Sequence, residues 1–69
     1  MERTPVSSSN LRSIGYESET STLEVEFNHG GVYQYHGVPQ EVFDSLMQAG
    51  SHGIYFNQNI KNSYGMTKL

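Results

Sequence analysis

The sequence predicts an α+β domain: a three-stranded antiparallel meander followed by two short helices packed on one face of the sheet. Three observations carry that prediction. Leu23, Val25 and Phe27 alternate with Glu24 and Glu26, the period of a strand with one wet face. The Gly-rich stretch Asn28-His29-Gly30-Gly31 separates this run from a second one, Val32-Tyr33-Gln34-Tyr35. After Pro39 the apolar spacing changes to that of a helix, with Val42, Phe43, Leu46 and Met47 on one stripe. Placing both helices on one sheet face is the economical way to bury a single apolar face.

Residues 1 to 7 are polar, carry Pro5, and are expected to be a flexible N-terminus ahead of a single domain over 8–69. Ser8 to Tyr16 reads as the first strand, with imperfect alternation. Ile14 and Tyr16 share a face with Arg12, and Leu11 points to the other. Glu17 to Ser21 is a polar turn, and Thr22 to Phe27 is the second strand.

The hairpin register follows from the apolar pattern. A two-residue loop would set Tyr33 opposite Glu26. A three-residue loop, Asn28-His29-Gly30, sets Tyr33 opposite Val25 and Tyr35 opposite Leu23, with Gly30 in the left-handed position. Pro39 suits the first turn of a helix, and Glu41 and Asp44 lie near its positive end. Gly50 is its expected C-cap. Ser51 is placed to N-cap a second helix over about 52–61, whose apolar face is Ile54, Tyr55 and Ile60, with Phe56 flanking. Gly53 weakens that helix. Asn62 to Leu69 reads as irregular.

Several function classes are excluded or disfavoured. A chain of 69 residues makes one domain with a thin core. It has no Cys, hence no disulfide framework and no thiolate metal site. The start lacks the apolar stretch of a signal peptide, and no run is long enough to span a bilayer, so a cytoplasmic protein without membrane partners is expected. The net charge of −3 argues against a dedicated nucleic-acid binder. The charge is uneven, however. All seven carboxylates lie before residue 45, and the only charged residues after it are Lys61 and Lys68.

His29, His36 and His52 are not spaced as metal ligands and read as surface imidazoles. Glu24 and Glu26 share a strand face and read as solvated carboxylates rather than an acid–base pair. No nucleophile elbow or phosphate-binding glycine loop is present. No catalytic centre, metal site or cofactor is expected.

The candidate binding residues are Tyr33, Tyr35, Asn57, Lys61, Tyr64 and Lys68. Tyr33 and Tyr35 point the same way from their strand. They are either the lid of a small core or a stacking platform. Asn57, Lys61 and Lys68 form, with Asn59 and Asn62, the one polar patch with nucleic-acid character, and Tyr64 lies among them, since aromatics stack on bases and lysines meet phosphates.

Four blocks in order resemble the KTSC domain: Ser8-Ser9-Asn10-Leu11-Arg12-Ser13-Ile14-Gly15-Tyr16, Leu23-Glu24-Val25-Glu26-Phe27, Val32-Tyr33-Gln34-Tyr35 with Gly37-Val38-Pro39, and Gly53-Ile54-Tyr55-Phe56-Asn57. This small domain is found at the C-terminus of some lysyl-tRNA synthetases and as stand-alone bacterial and phage proteins. The resemblance covers about residues 6 to 69. It implies a non-enzymatic binding module whose partner is RNA, such as tRNA, or an RNA-bound protein. The family's tyrosine pair falls on Tyr33 and Tyr35. Its basic tail falls on Ile60 to Leu69, where Gly65 replaces a proline and several basic positions are neutral. Weak RNA binding is therefore the expectation, with a self-associating protein-interaction domain as the alternative.

Overall fold

The computed structural model describes residues 1–69. The chain runs β1 (Arg3–Pro5), β2 (Leu11–Glu17), β3 (Thr22–Phe27), β4 (Val32–His36), α1 (Gln40–Gln48), α2 (His52–Asn59) and β5 (Gly65–Lys68). The strands form one antiparallel sheet in the order β1-β2-β3-β4-β5. The expected α+β architecture is present, but the sheet has five strands, not three. The expected meander is its centre. The segment expected to fray contributes β1, and the tail expected to be irregular contributes β5. Both added strands are fully exposed and only three and four residues long. Neither carries a buried face, so neither carries the alternation that marks a strand.

The β3–β4 hairpin has the register that the apolar pattern selects, with Val25 opposite Tyr33 and Leu23 opposite Tyr35. Its three-residue loop closes through Phe27 N–H donating to the Gly31 carbonyl at 2.9 Å. Gly30 has φ +105°, a backbone conformation that a side chain would strain. The β2–β3 pair holds a correction. Leu11 faces Phe27 and Ser13 faces Glu26, so Arg12 is the extra residue of a bulge. The bulge resets the alternation and brings Leu11 onto the same face as Ile14, where both are buried.

That face is the core. Leu11, Ile14, Leu23, Val25 and Tyr35 from the sheet meet Val38, Leu46 of α1, and Phe56 and Ile60 of α2. Tyr16 stacks on Phe43 of α1 at 4.9 Å between centroids. Ser51 caps α2, its hydroxyl accepting from Ile54 N–H at 3.3 Å. The turn between the helices is tied by His52, whose Nδ1 donates to the Leu46 carbonyl at 2.8 Å. The cap of α1 is Ala49 rather than Gly50, and α2 ends at Asn59. The buried face of α2 also differs from expectation. Phe56 is 1% exposed and Ile54 is 59% exposed. Phe56 lies edge-on to both Phe27 (5.5 Å) and Tyr35 (5.2 Å), which fixes how α2 is turned on the sheet.

The helix-free face is polar and built on Glu24. Expected to be solvated, Glu24 is instead buried. Its carboxylate accepts from Gln34 Nε2 at 2.9 Å and from Arg3 Nη1 at 2.6 Å. The Gln34 hydrogen bond, then the hydrogen bond and charge of Arg3, hold its pKa below the ordinary carboxylate value against the opposing effect of burial. Arg3 is thereby the clasp that holds β1. Beneath it Gly15 leaves the room, since a Cβ there would stand 2.5 Å from the Glu2 carbonyl oxygen.

Two predictions follow from this packing. Phe56→Ala costs about 3–5 kcal/mol, whereas Ile54→Ala stays within about 0.5 kcal/mol, measured by urea unfolding. Equal losses would show that Phe56 is not the anchor of α2. The Glu24 carboxylate is more acidic folded than unfolded, so its contribution is complete above the unfolded pKa and is lost as pH falls through the folded one. Glu24→Gln therefore shows a shallower decline of stability on acidification than the parent. Parallel stability curves for the two would place the acid-sensitive group elsewhere.

Candidate functional site

The helix layer does not reach the β5 edge. Phe56 ties α2 above β3 and β4, and every residue of β5 is exposed. The uncovered strip is an open cleft of about 550 Å³, a size that suits a small ligand. Its floor is Phe27, Tyr35 and Phe56. Its walls are His29 from the hairpin loop, Tyr33 from β4, Asn57, Lys61 and Asn62 from α2 and the segment after it, Met66 from β5, and Asn10.

The tyrosine pair divides the two readings between its members. Tyr35 is core: it is 4% exposed, and burial, with Tyr33 beside it, pushes its phenol up in pKa, so it stays neutral. Tyr33 is half-buried and faces the cleft. Its ring stands edge-on to Phe27 at 5.3 Å, and the ammonium of Lys68 lies 5.9 Å from its centroid. The Lys68 contact exists because β5 pairs Lys68 with Tyr33, which sets both side chains on the helix-bearing face.

Of the other residues singled out in the sequence, Asn57 and Lys61 line the cleft, and both are exposed. Tyr64 does not line it; it is half-buried against the core. The cleft thus gathers Tyr33, Asn57 and Lys61 around a floor that includes Tyr35, and Lys68 lies outside its lining, beside the Tyr33 ring. No carboxylate lines the cleft, and neither lysine is in an ion pair. The Asn57 and Asn62 amides make no intramolecular hydrogen bond, so both are free to meet a ligand's donors and acceptors.

Sequence reasoning missed His29, Phe27, Phe56, Asn10 and Met66. His29 carried no strand-period signal, because it sits in the hairpin loop beyond the end of β3, where alternation does not apply. Its imidazole stacks on Phe27 at 5.4 Å with only 4° between the planes. Gly31 makes room, since a Cβ there would come within 2.9 Å of the Tyr33 ring and 3.0 Å of the His29 ring. Met66 had no signal, because its strand had none.

No three His, Asp or Glu side chains cluster to hold a metal ion. His36 shares a hydrogen bond with Thr67 at 2.8 Å on the helix-free face, and His52 is occupied between the helices. Glu24 is held ionised by Gln34 and Arg3, the opposite of a poised general acid. No helix is long and apolar enough to cross a membrane.

Comparison with known proteins agrees with this architecture. The model of the KTSC domain family matches residues 7–64. An uncharacterised protein of Stutzerimonas stutzeri is 49% identical over 61 residues, covering 88% of this chain and 86% of the relative. A lysine–tRNA ligase of Nostoc punctiforme is 39% identical over 59 residues, but those residues are 86% of this chain and only 10% of the ligase. The crystal structure of a KTSC domain protein from Yersinia pestis superposes with a TM-score of 0.97 at 41% identity, over 99% of this chain and 96% of that one. With most of its length matched by the family model and its fold shared end to end with a solved member, the chain belongs to the KTSC domain family.

Proposed function

We propose that this domain is a non-enzymatic binding module that contacts RNA through the cleft beside β5. The observation that carries the reading is the cleft's composition. Aromatic side chains, the unpaired Lys61 and two free amides line it, no carboxylate does, and the unpaired Lys68 stands beside it over the Tyr33 ring. Lysines supply phosphate contacts, rings supply stacking surfaces, and amides meet base edges. The protein's acidity does not oppose this locally, because Glu24 and Glu26 lie on the other face of the sheet, engaged with Arg3. The lysine–tRNA ligases that carry a similar segment act on tRNA by name, which supports RNA as the ligand class. Two lysines are few, so binding is weak and strongly screened by salt.

The test is an NMR titration of labelled protein with short single-stranded RNA, tRNA and a DNA control at two salt concentrations. Salt-sensitive shifts are expected at Tyr33, Asn57, Lys61 and Lys68. Lys61→Glu weakens binding. Lys61→Gln flattens the dependence of log affinity on log salt by about 0.7, the loss of one single-strand phosphate contact. An affinity indifferent to Lys61→Glu overturns the reading. So does an absence of shifts at low salt, which would direct the search to protein partners.

A further inference from the structure

We infer that the ligand element this cleft takes is a single unpaired nucleobase, and that His29 is the residue on which it stacks. This deepens the RNA reading and rests on it. One face of the imidazole is covered by Phe27, in parallel contact. His29 as a whole is exposed and lines the cleft, so its other face is turned to solvent. A base on that face would extend a stack already two rings long.

The platform is rigid for a loop residue. Phe27 is itself held edge-on by Phe56, a core side chain, so the stack is anchored through Phe27 to the buried centre. Tyr33 is less suited to the role. Lys68 lies over its ring, and the ring edge is closed by Phe27 and Gly31. The assignment is therefore a division of labour: His29 stacks the base, and Lys61, which lines the same cleft, meets the backbone. A base pair inside a duplex cannot take this position, because both of its faces are already occupied by neighbours. The class recognised is thus single-stranded or looped RNA, with little preference among bases.

The experiment compares three probes by fluorescence anisotropy at low salt: a short oligoadenylate strand, an RNA hairpin with a fully paired stem and a minimal loop, and an abasic ribose–phosphate oligomer of the oligoadenylate's length. Wild type binds the oligoadenylate in clear preference to the other two. His29→Ala reduces that affinity by roughly five- to a hundredfold, the value of one base–aromatic stack. His29→Phe keeps most of it, since a planar ring remains. In His29→Trp the indole, the only one in the chain, loses fluorescence when a base stacks on it. Native-like amide spectra of each variant exclude unfolding. If wild type binds the oligoadenylate but His29→Ala binds equally well, or if the abasic oligomer competes equally, the stacking assignment is overturned and RNA contact stands. If wild type binds none of the probes nor tRNA, the RNA reading is overturned and this inference with it.

Discussion

The contact on which the rest of the structure depends is the packing of Phe56 between Phe27 and Tyr35. A domain of this size buries only nine side chains in its main core, so one aromatic residue from a two-turn helix carries a large share of the burial. The contact also has a direction. An edge-on ring meeting two others from adjacent strands leaves α2 little freedom to rotate. With Phe56 pointing down, Asn57 is turned toward the β5 side, and the chain leaves the helix with Lys61 and Asn62 at the cleft. The same contact fixes Phe27, and Phe27 orients His29. The packing of the core and the placement of the candidate ligand-binding groups are one arrangement.

The two sheet faces solve opposite problems. The helix-bearing face excludes water from apolar groups, and its uncovered strip ends in lysines without partners. The helix-free face has no helix to cover it and is instead sealed by its own polar side chains. Arg3 and Gln34 close over Glu24, and the Ser13 hydroxyl donates to Glu26 at 3.0 Å. Glu24 and Glu26, which would repel an anion, are thereby held on the far side of the sheet. An acidic protein can hold a local basic site in this way, because the sheet lies between the two sets of charge and screening weakens the repulsion that remains.

Much of this was legible in the residues, and the illegible parts have specific physical reasons. The hairpin register followed from alternation, because a one-residue slip would have set Tyr33 and Tyr35 opposite Glu26 and Glu24, off the apolar face. Ser51 was recognisable as a cap by type and position. Alternation alone puts Leu11 on the wrong face, because a bulge at Arg12 adds one residue to a period of two, an insertion that alternation cannot reveal. Ile54 and Phe56 exchanged roles because α2 is short, and two turns fit an apolar stripe in more than one rotation. The strands β1 and β5 left no trace, because they are held by backbone pairing and, in β1, by the single Arg3 clasp. At the site, Tyr33, Asn57, Lys61 and Lys68 could be proposed from residue type alone. Their convergence could not, since it depends on β5 returning to pair with β4.

That return has a consequence for how the cleft is built. The segment matched by the family model ends at residue 64 and contains His29, Tyr33, Phe56, Asn57 and Lys61. Met66 and Lys68 lie beyond it, on a strand with no buried side chain. One wall of the cleft is therefore tied to the core: changing Phe27 or Phe56 to alter the site would also cost stability. The other wall is attached mainly through main-chain hydrogen bonds, with two exposed side-chain contacts beside them, His36 to Thr67 and Lys68 over Tyr33. Substitutions at Met66 and Lys68 can alter charge and shape at the ligand without disturbing the fold. An arrangement of one fixed wall and one free wall separates a stacking surface that the core must maintain from an electrostatic contact that can be tuned independently.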